Sequence, residues 1–186
     1  MTHFKVHSPY LIKFIEAFEY RNTYFIVKEN FLGHILTSVI KAGYDQDTEY
    51  GEDFCVYTLY CIGMGLKDMH DKFLIHRDIQ PNNIFFDPDG NVKISGLSQV
   101  YFLTEQEPAI RQRPTFEVRS PAPEMLTISQ DGYGKPVDVW AMGILAYELM
   151  TGFHKPLMAE ESKEVLSAEA YQQDESRFSP TYQAFI

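Results

Sequence analysis

Residues 11–19 (LIKFIEAFE) and 23–28 (TYFIVK) are short runs rich in apolar, aromatic and β-branched side chains. With Tyr20-Arg21-Asn22 between them, they predict a β-hairpin. After Gly33 the pattern turns helical, from His34 to Ile40. Over residues 52–70, Phe54, Leu59, Ile62, Leu66 and Met69 recur at helical spacing and predict a longer helix. A second hairpin follows, in which NNIFF and NVKIS flank the turn residues Asp87-Pro88-Asp89-Gly90. Residues 97–121, with Pro108, Pro114 and Pro121, read as a long irregular loop. Residues 137–151 form a strongly apolar helix, expected to be central and buried. Beyond Gly152 the pattern weakens, with a surface helix expected over Glu160–Gln173 and a last short one starting at Ser179-Pro180. Strands, helices, hairpin, loop and buried helix in that order predict an α+β fold.

The chain has 186 residues, enough for one domain with a sizeable core, and 45% of them are hydrophobic. Its formal net charge of −10 speaks against nucleic acid or an anionic membrane surface as the main partner, since both need a positive face. Arg111, Arg113 and Arg119 read as scattered solvated charges. Cys55 and Cys61 form no CxxC pair and read as buried free thiols. The N-terminus lacks a signal-peptide pattern, and the longest apolar run, Val139 to Met150, is too short for a bilayer and contains Glu148. A soluble, cytoplasmic protein is the expectation.

One segment carries chemistry. His76-Arg77-Asp78-Ile79-Gln80-Pro81-Asn82-Asn83 has the spacing H-R-D-x-x-x-x-N, set between a predicted helix and a predicted hairpin. Ala122-Pro123-Glu124 and Asp138-Val139-Trp140-Ala141-Met142-Gly143 follow in order. Together these resemble the catalytic loop, the A-P-E motif and the D-V-W-S-x-G helix start of the eukaryotic protein kinase superfamily, serine/threonine type. The resemblance implies a kinase-like fold, mainly the helical C-lobe with two N-lobe strands and the hinge. Residues 1–30 would be a remnant of the N-lobe, with strands four and five and the hinge; residues 31–186 would be a C-lobe incomplete at its C-terminal end. It implies ATP and Mg2+ as cofactors. Asp78 would stand in the catalytic-base position, Asn83 would be a metal ligand, and Gln80 would replace a lysine that contacts the transferred phosphate. Val27 would be the gatekeeper, the Lys28 carbonyl and Asn30 N–H would face the adenine edge, and Phe85 would lie beneath the ring. Asp138 would accept hydrogen bonds from the catalytic-loop backbone.

The sequence also departs from the family. Where D-F-G is expected, it reads Val92-Lys93-Ile94-Ser95-Gly96-Leu97-Ser98, without the metal-binding Asp or the Phe. The glycine-rich loop and the V-A-I-K lysine find no counterpart in it. Phe116, Glu117 and Ser120 sit where Gly, Thr and Tyr are usual, and Glu117 is expected to set a second carboxylate near Asp78. Glu124 is expected to lack its usual arginine, Arg177 being the nearest candidate. The expected function is a pseudokinase-like binding or scaffold role, with weak or absent binding of ATP and Mg2+. The alternative is an incomplete chain of an active ATP-dependent serine/threonine kinase. A protein partner, or missing N-lobe strands, is expected to complete the hairpin.

Overall fold

The computed structural model describes residues 6–45, 50–127, 131–151 and 179–181. β1 (Phe14–Tyr20) and β2 (Thr23–Lys28) pair antiparallel, with Tyr20 opposite Thr23. Arg21 and Asn22 make the turn, both left-handed at φ 50° and 61°. Two left-handed central residues give the turn whose twist matches an antiparallel pair.

His34 and Ile35 do not start a helix as the pattern predicts. They form a short strand, β3 (His34–Ile35), and the helix α1 begins one residue later (Leu36–Asp45). β3 pairs with β5 (Ile84–Phe86), which pairs with β6 (Val92–Ile94) across the Asp87–Gly90 turn. Gly33 permits this: a Cβ there would lie 1.8 Å from the Phe86 carbonyl oxygen. A tertiary strand pairing has overridden a local helical pattern.

α2 (Glu52–His70) runs where the periodicity places it and leads into β4 (Leu74–Ile75). β4 pairs with β7 (Tyr101–Phe102), a short strand inside the segment read as irregular. α3 (Pro123–Leu126) is one turn long, and α4 (Pro136–Thr151) opens with proline, whose missing N–H is not needed in a first turn.

The main core joins Cys55, Ile62 and Leu66 of α2 to Leu145 and Leu149 of α4 and Ile94 of β6. A smaller one gathers Ile75, Ile110, Met125, Tyr133 and Val137 beneath the long loop. α4 is buried from Ile144 to Leu149, as its composition predicts. Both cysteines are buried and neither is in a disulfide, and burial pushes the Cys61 thiol up. The expected helix at 160–173 lies outside the described residues. Pro180 and Thr181 are helical, and Glu52 accepts hydrogen bonds from the Ser179 N–H and hydroxyl at 2.6 Å each.

Candidate active-site cleft

The His76–Asn83 loop leaves β4 with Arg77 in the left-handed region at φ 66°. A non-glycine residue there is strained unless its surroundings hold it. Asp138, at the start of α4 and 0% exposed, supplies that hold. It accepts the N–H groups of His76 and Arg77 at 2.8 Å each, and His70 Nε2 lies 2.8 Å from its carboxylate. This is the backbone contact expected of Asp138. Arg77 then donates to the Gln99 carbonyl at 2.7 Å and lies over the rings of Tyr101 and Phe116.

His76 is fully buried. Its Nε2–H donates to the Ser95 carbonyl at 2.7 Å, and its Nδ1 accepts the Asp78 N–H at 3.2 Å. That pattern needs a neutral imidazole with its proton on Nε2. Burial drives the ring's pKa below its usual value, against the opposing pull of Asp138.

Asp78 and Asn83 share one site, as their spacing implies. Asn83 Nδ2 donates to the Asp78 carboxylate and to its backbone carbonyl, both at 2.7 Å. Gln80 Nε2 donates to the other carboxylate oxygen at 2.6 Å. Both Asp78 oxygens thus face amide donors. Glu117 is exposed, and the groups meeting Asp78 are amides rather than a second carboxylate.

The segment after β6 closes the site. Ser95 is 2% exposed, and its N–H donates to the Asn83 carbonyl at 2.7 Å. Gly96 has φ 81°, and a Cβ there would lie 2.3 Å from Asn83 Cγ. An aspartate at this position would overlap Asn83. Mg2+ favours several oxygen ligands in octahedral array, usually with carboxylates among them. Asp78 is the carboxylate that Asn83 meets, and its oxygens already face N–H groups. Among the described residues no group of three or more His, Cys, Asp or Glu side chains could hold a metal. The residues present are a poor fit to Mg2+.

The predicted nucleotide-side residues divide. Lys28, at the end of β2, sends its ammonium to Ser95 Oγ at 3.0 Å and over the Phe85 ring at 5.8 Å. Strand alternation turns the half-buried Val27 toward the other face. Asn30 is exposed in the segment after β2. Phe85 is half-buried, with Phe31 edge-on to it at 6.3 Å. Glu29 accepts from Lys93 at 2.6 Å and from the Lys13 N–H at 2.9 Å. Burial works against the Glu29 charge, but those donors prevail and hold its carboxyl below the usual range.

Sequence reasoning missed His70, Ser95 and the Lys28 side chain. His70 sits at the end of a predicted helix just before the loop, a usable signal. The other two are brought in by β5–β6 and β2, from distant parts of the chain. It also missed the pair between Arg119 and Glu148. Glu148 is 1% exposed, and Arg119 approaches its two oxygens at 2.9 and 3.0 Å. Burial outweighs the guanidinium and pushes the carboxyl up to about 7. A lone glutamate in an apolar helix was the available signal. Glu124 is half-buried and shows no hydrogen bond or ion pair among the described residues. Arg177 lies outside them.

A family model described as the protein kinase domain matches residues 1–184. A calcium/calmodulin-dependent protein kinase of Metarhizium anisopliae is 30% identical over 167 residues, 87% of this chain and 41% of the relative. Serine/threonine-protein kinase MST20 of Pyricularia oryzae is 28% identical over 96% of this chain and 19% of its own length. Serine/threonine-protein kinase CLA4 of Eremothecium gossypii is 32% identical over 84% of this chain and 20% of its own. The chain therefore spans less than half the length of these relatives.

Proposed function

We propose, since this chain belongs to the protein kinase domain family, that it is a pseudokinase-like binding module rather than a phosphoryl-transfer enzyme. The kinase family uses ATP and Mg2+, and its transition state spreads charge that the metal and nearby cations must offset. The observation that carries the reading is the closed Asp78 site. Amides of Gln80 and Asn83 meet both carboxylate oxygens, and Gly96 fits against Asn83 only because it has no side chain. The groups that would gather a metal between Asp78 and the phosphates are replaced by hydrogen bonds within the loop.

The binding surface in this reading is the β1–β2 hairpin. Ile15, Phe18, Tyr24, Phe25 and Ile26 are exposed, with apolar side chains on both faces. Such a pair is rarely stable alone and invites strands of another polypeptide. The location we propose is the cytoplasm; among the described residues no helix is long and apolar enough to cross a membrane.

A second reading is an active serine/threonine kinase of which this chain is a part. It is favoured by the H-R-D-x-x-x-x-N loop, held by Asp138, and by the greater length of the relatives. A radiolabelled transfer assay with Mg-ATP and a generic protein substrate separates the two. The expected result is no transfer by the purified chain. Transfer that disappears in Asp78→Asn would overturn the non-catalytic reading. Transcript sequence upstream of Met1 and across Ser95-Gly96 would show whether a V-A-I-K lysine and a D-F-G motif belong to the same protein.

A further inference from the structure

Lys28 is exposed along much of its length, yet its ammonium ends at a buried hydroxyl. Ser95 Oγ accepts one of its N–H groups at 3.0 Å, and the charge stands over the Phe85 ring, 5.8 Å from the centroid. Ser95 is itself immobilised, since its N–H donates to Asn83 and its carbonyl accepts from His76. The anchor is therefore a fixed point and not another mobile side chain. Phe31 approaches the same Phe85 ring edge-on at 6.3 Å, and Lys93 stands over Phe31 at 5.4 Å while paired with Glu29.

These contacts fill one place. A flat heterocycle stacks on an aromatic floor with its atoms about 3.5–4 Å above it. The Lys28 ammonium stands over that floor, 5.8 Å from the Phe85 centroid, so a base stacked there would have to share its face. An ammonium also has only donors to offer, and three of them. A base entering here must displace it from both Ser95 and the ring face.

We propose that Lys28 is a built-in plug of the cleft, tied to Ser95 and covering the base-stacking face of Phe85, so that it excludes a purine nucleotide. The proposal rests on reading this cleft as the kinase family's nucleotide site, and it adds a side chain that controls entry. It is independent of the metal, because the contacts that fill the space involve neither Asp78 nor the Asn83 side chain.

The test is calorimetric titration of the purified chain with ADP, without divalent metal, alongside Lys28→Ala and Ser95→Ala. Lys28→Ala removes the plug. Ser95→Ala keeps the lysine but cuts its anchor, which guards against misreading a folding defect in the first variant. Unfolding midpoints of all three establish that the folded states are compared. One charged hydrogen bond and one cation–π contact are released, so ADP should bind about tenfold more tightly to Lys28→Ala. Ser95→Ala should move the same way by about threefold. Equal or weaker binding by Lys28→Ala overturns the plug, weaker binding making Lys28 a ligand-holding group instead. Undetectable ADP binding by both variants overturns it too, because an opened floor must admit the base. Failure of the non-catalytic reading would look different: Lys28→Ala would transfer phosphate from Mg-ATP, and the further change Asp78→Asn would abolish it. That outcome would leave the plug standing.

Discussion

The His76–Asn83 loop and the β1–β2 hairpin are held in opposite ways. The loop is strained at Arg77, yet a buried carboxylate from α4 fixes its backbone. The hairpin has a favourable turn and unbroken pairing from Glu16 to Tyr20, with a register shift only between Phe14 and Glu16, but its aromatic side chains lie open: Phe18 and Phe25 stack at 5.2 Å while 45% and 42% exposed. It is fixed to the rest at its base. Ile12 N–H donates to the Ile94 carbonyl at 2.8 Å, and Glu29 pairs with Lys93. Local regularity and tertiary anchoring are thus separate properties. An irregular loop can be the rigid part when a desolvated acceptor meets its N–H groups, and a regular hairpin can be the weakly held part when nothing covers its faces.

The sharpest test of this contrast is Asp138→Ala. It leaves the His76 and Arg77 N–H groups without their acceptor inside the core, and His70 without its partner. The expected loss is about 3–5 kcal/mol, enough to unfold a domain of ordinary stability. Urea denaturation followed by circular dichroism reads it. A loss under about 1 kcal/mol would mean that the loop holds itself.

Glu148 gives the next largest effect, through pH. Its folded pKa is raised from 4.5 to about 7 by burial, partly offset by Arg119. The folded state therefore binds this proton more tightly than the unfolded one. Its stabilising contribution is fully present below 4.5 and is lost as pH rises to about 7. The full span is on the order of 3 kcal/mol. Glu148→Gln should flatten that part of the stability profile. His76 runs the other way: its lowered pKa gives stability that is present above 6.5 and lost as pH falls through the folded value. If the difference between wild type and Glu148→Gln did not change with pH across the 4.5–7 window, the Glu148 assignment would be wrong.

Gly96→Ala should have a smaller effect, confined to the loop. The added methyl meets Asn83 at 2.3 Å, and the backbone stands at φ 81°. A loss of about 1–3 kcal/mol is expected, with faster amide exchange at Asn83 and Ser95. Unchanged exchange there would show that the contact is not a constraint.

The smallest effect belongs to the hairpin. Phe18→Ala breaks the stack on Phe25, yet both rings are already half in water. Global stability should fall by under about 1 kcal/mol. A drop comparable to that of Asp138→Ala would erase the contrast and make the hairpin part of the cooperative core.

Much of this was legible from the chain alone. The 52–70 helix, the Asp87–Gly90 turn, the first hairpin and the buried α4 follow from periodicity and turn residues, because each depends on neighbours in sequence. The H-R-D-x-x-x-x-N spacing is likewise local, so it suffices to bring Asp78 and Asn83 into one site. The hydrogen-bond partners of Asp78 are the amides of Gln80 and Asn83, and Glu117 is exposed in a long loop whose path no local pattern dictates.

The sequence by itself determined the helices, the hairpins and the loop bearing Asp78, since backbone propensity and side-chain period act over a few residues. The tertiary structure decided three things. It turned His34-Ile35 from helix into strand by offering β5 as a partner, and it put the Lys28 ammonium on Ser95, 67 residues away. It also paired Glu148 with Arg119 inside the core. Each is a contact between distant segments whose energy exists only after the chain has collapsed and water has gone. There, in a low dielectric, an unmet hydrogen bond or charge is expensive enough to choose between local alternatives.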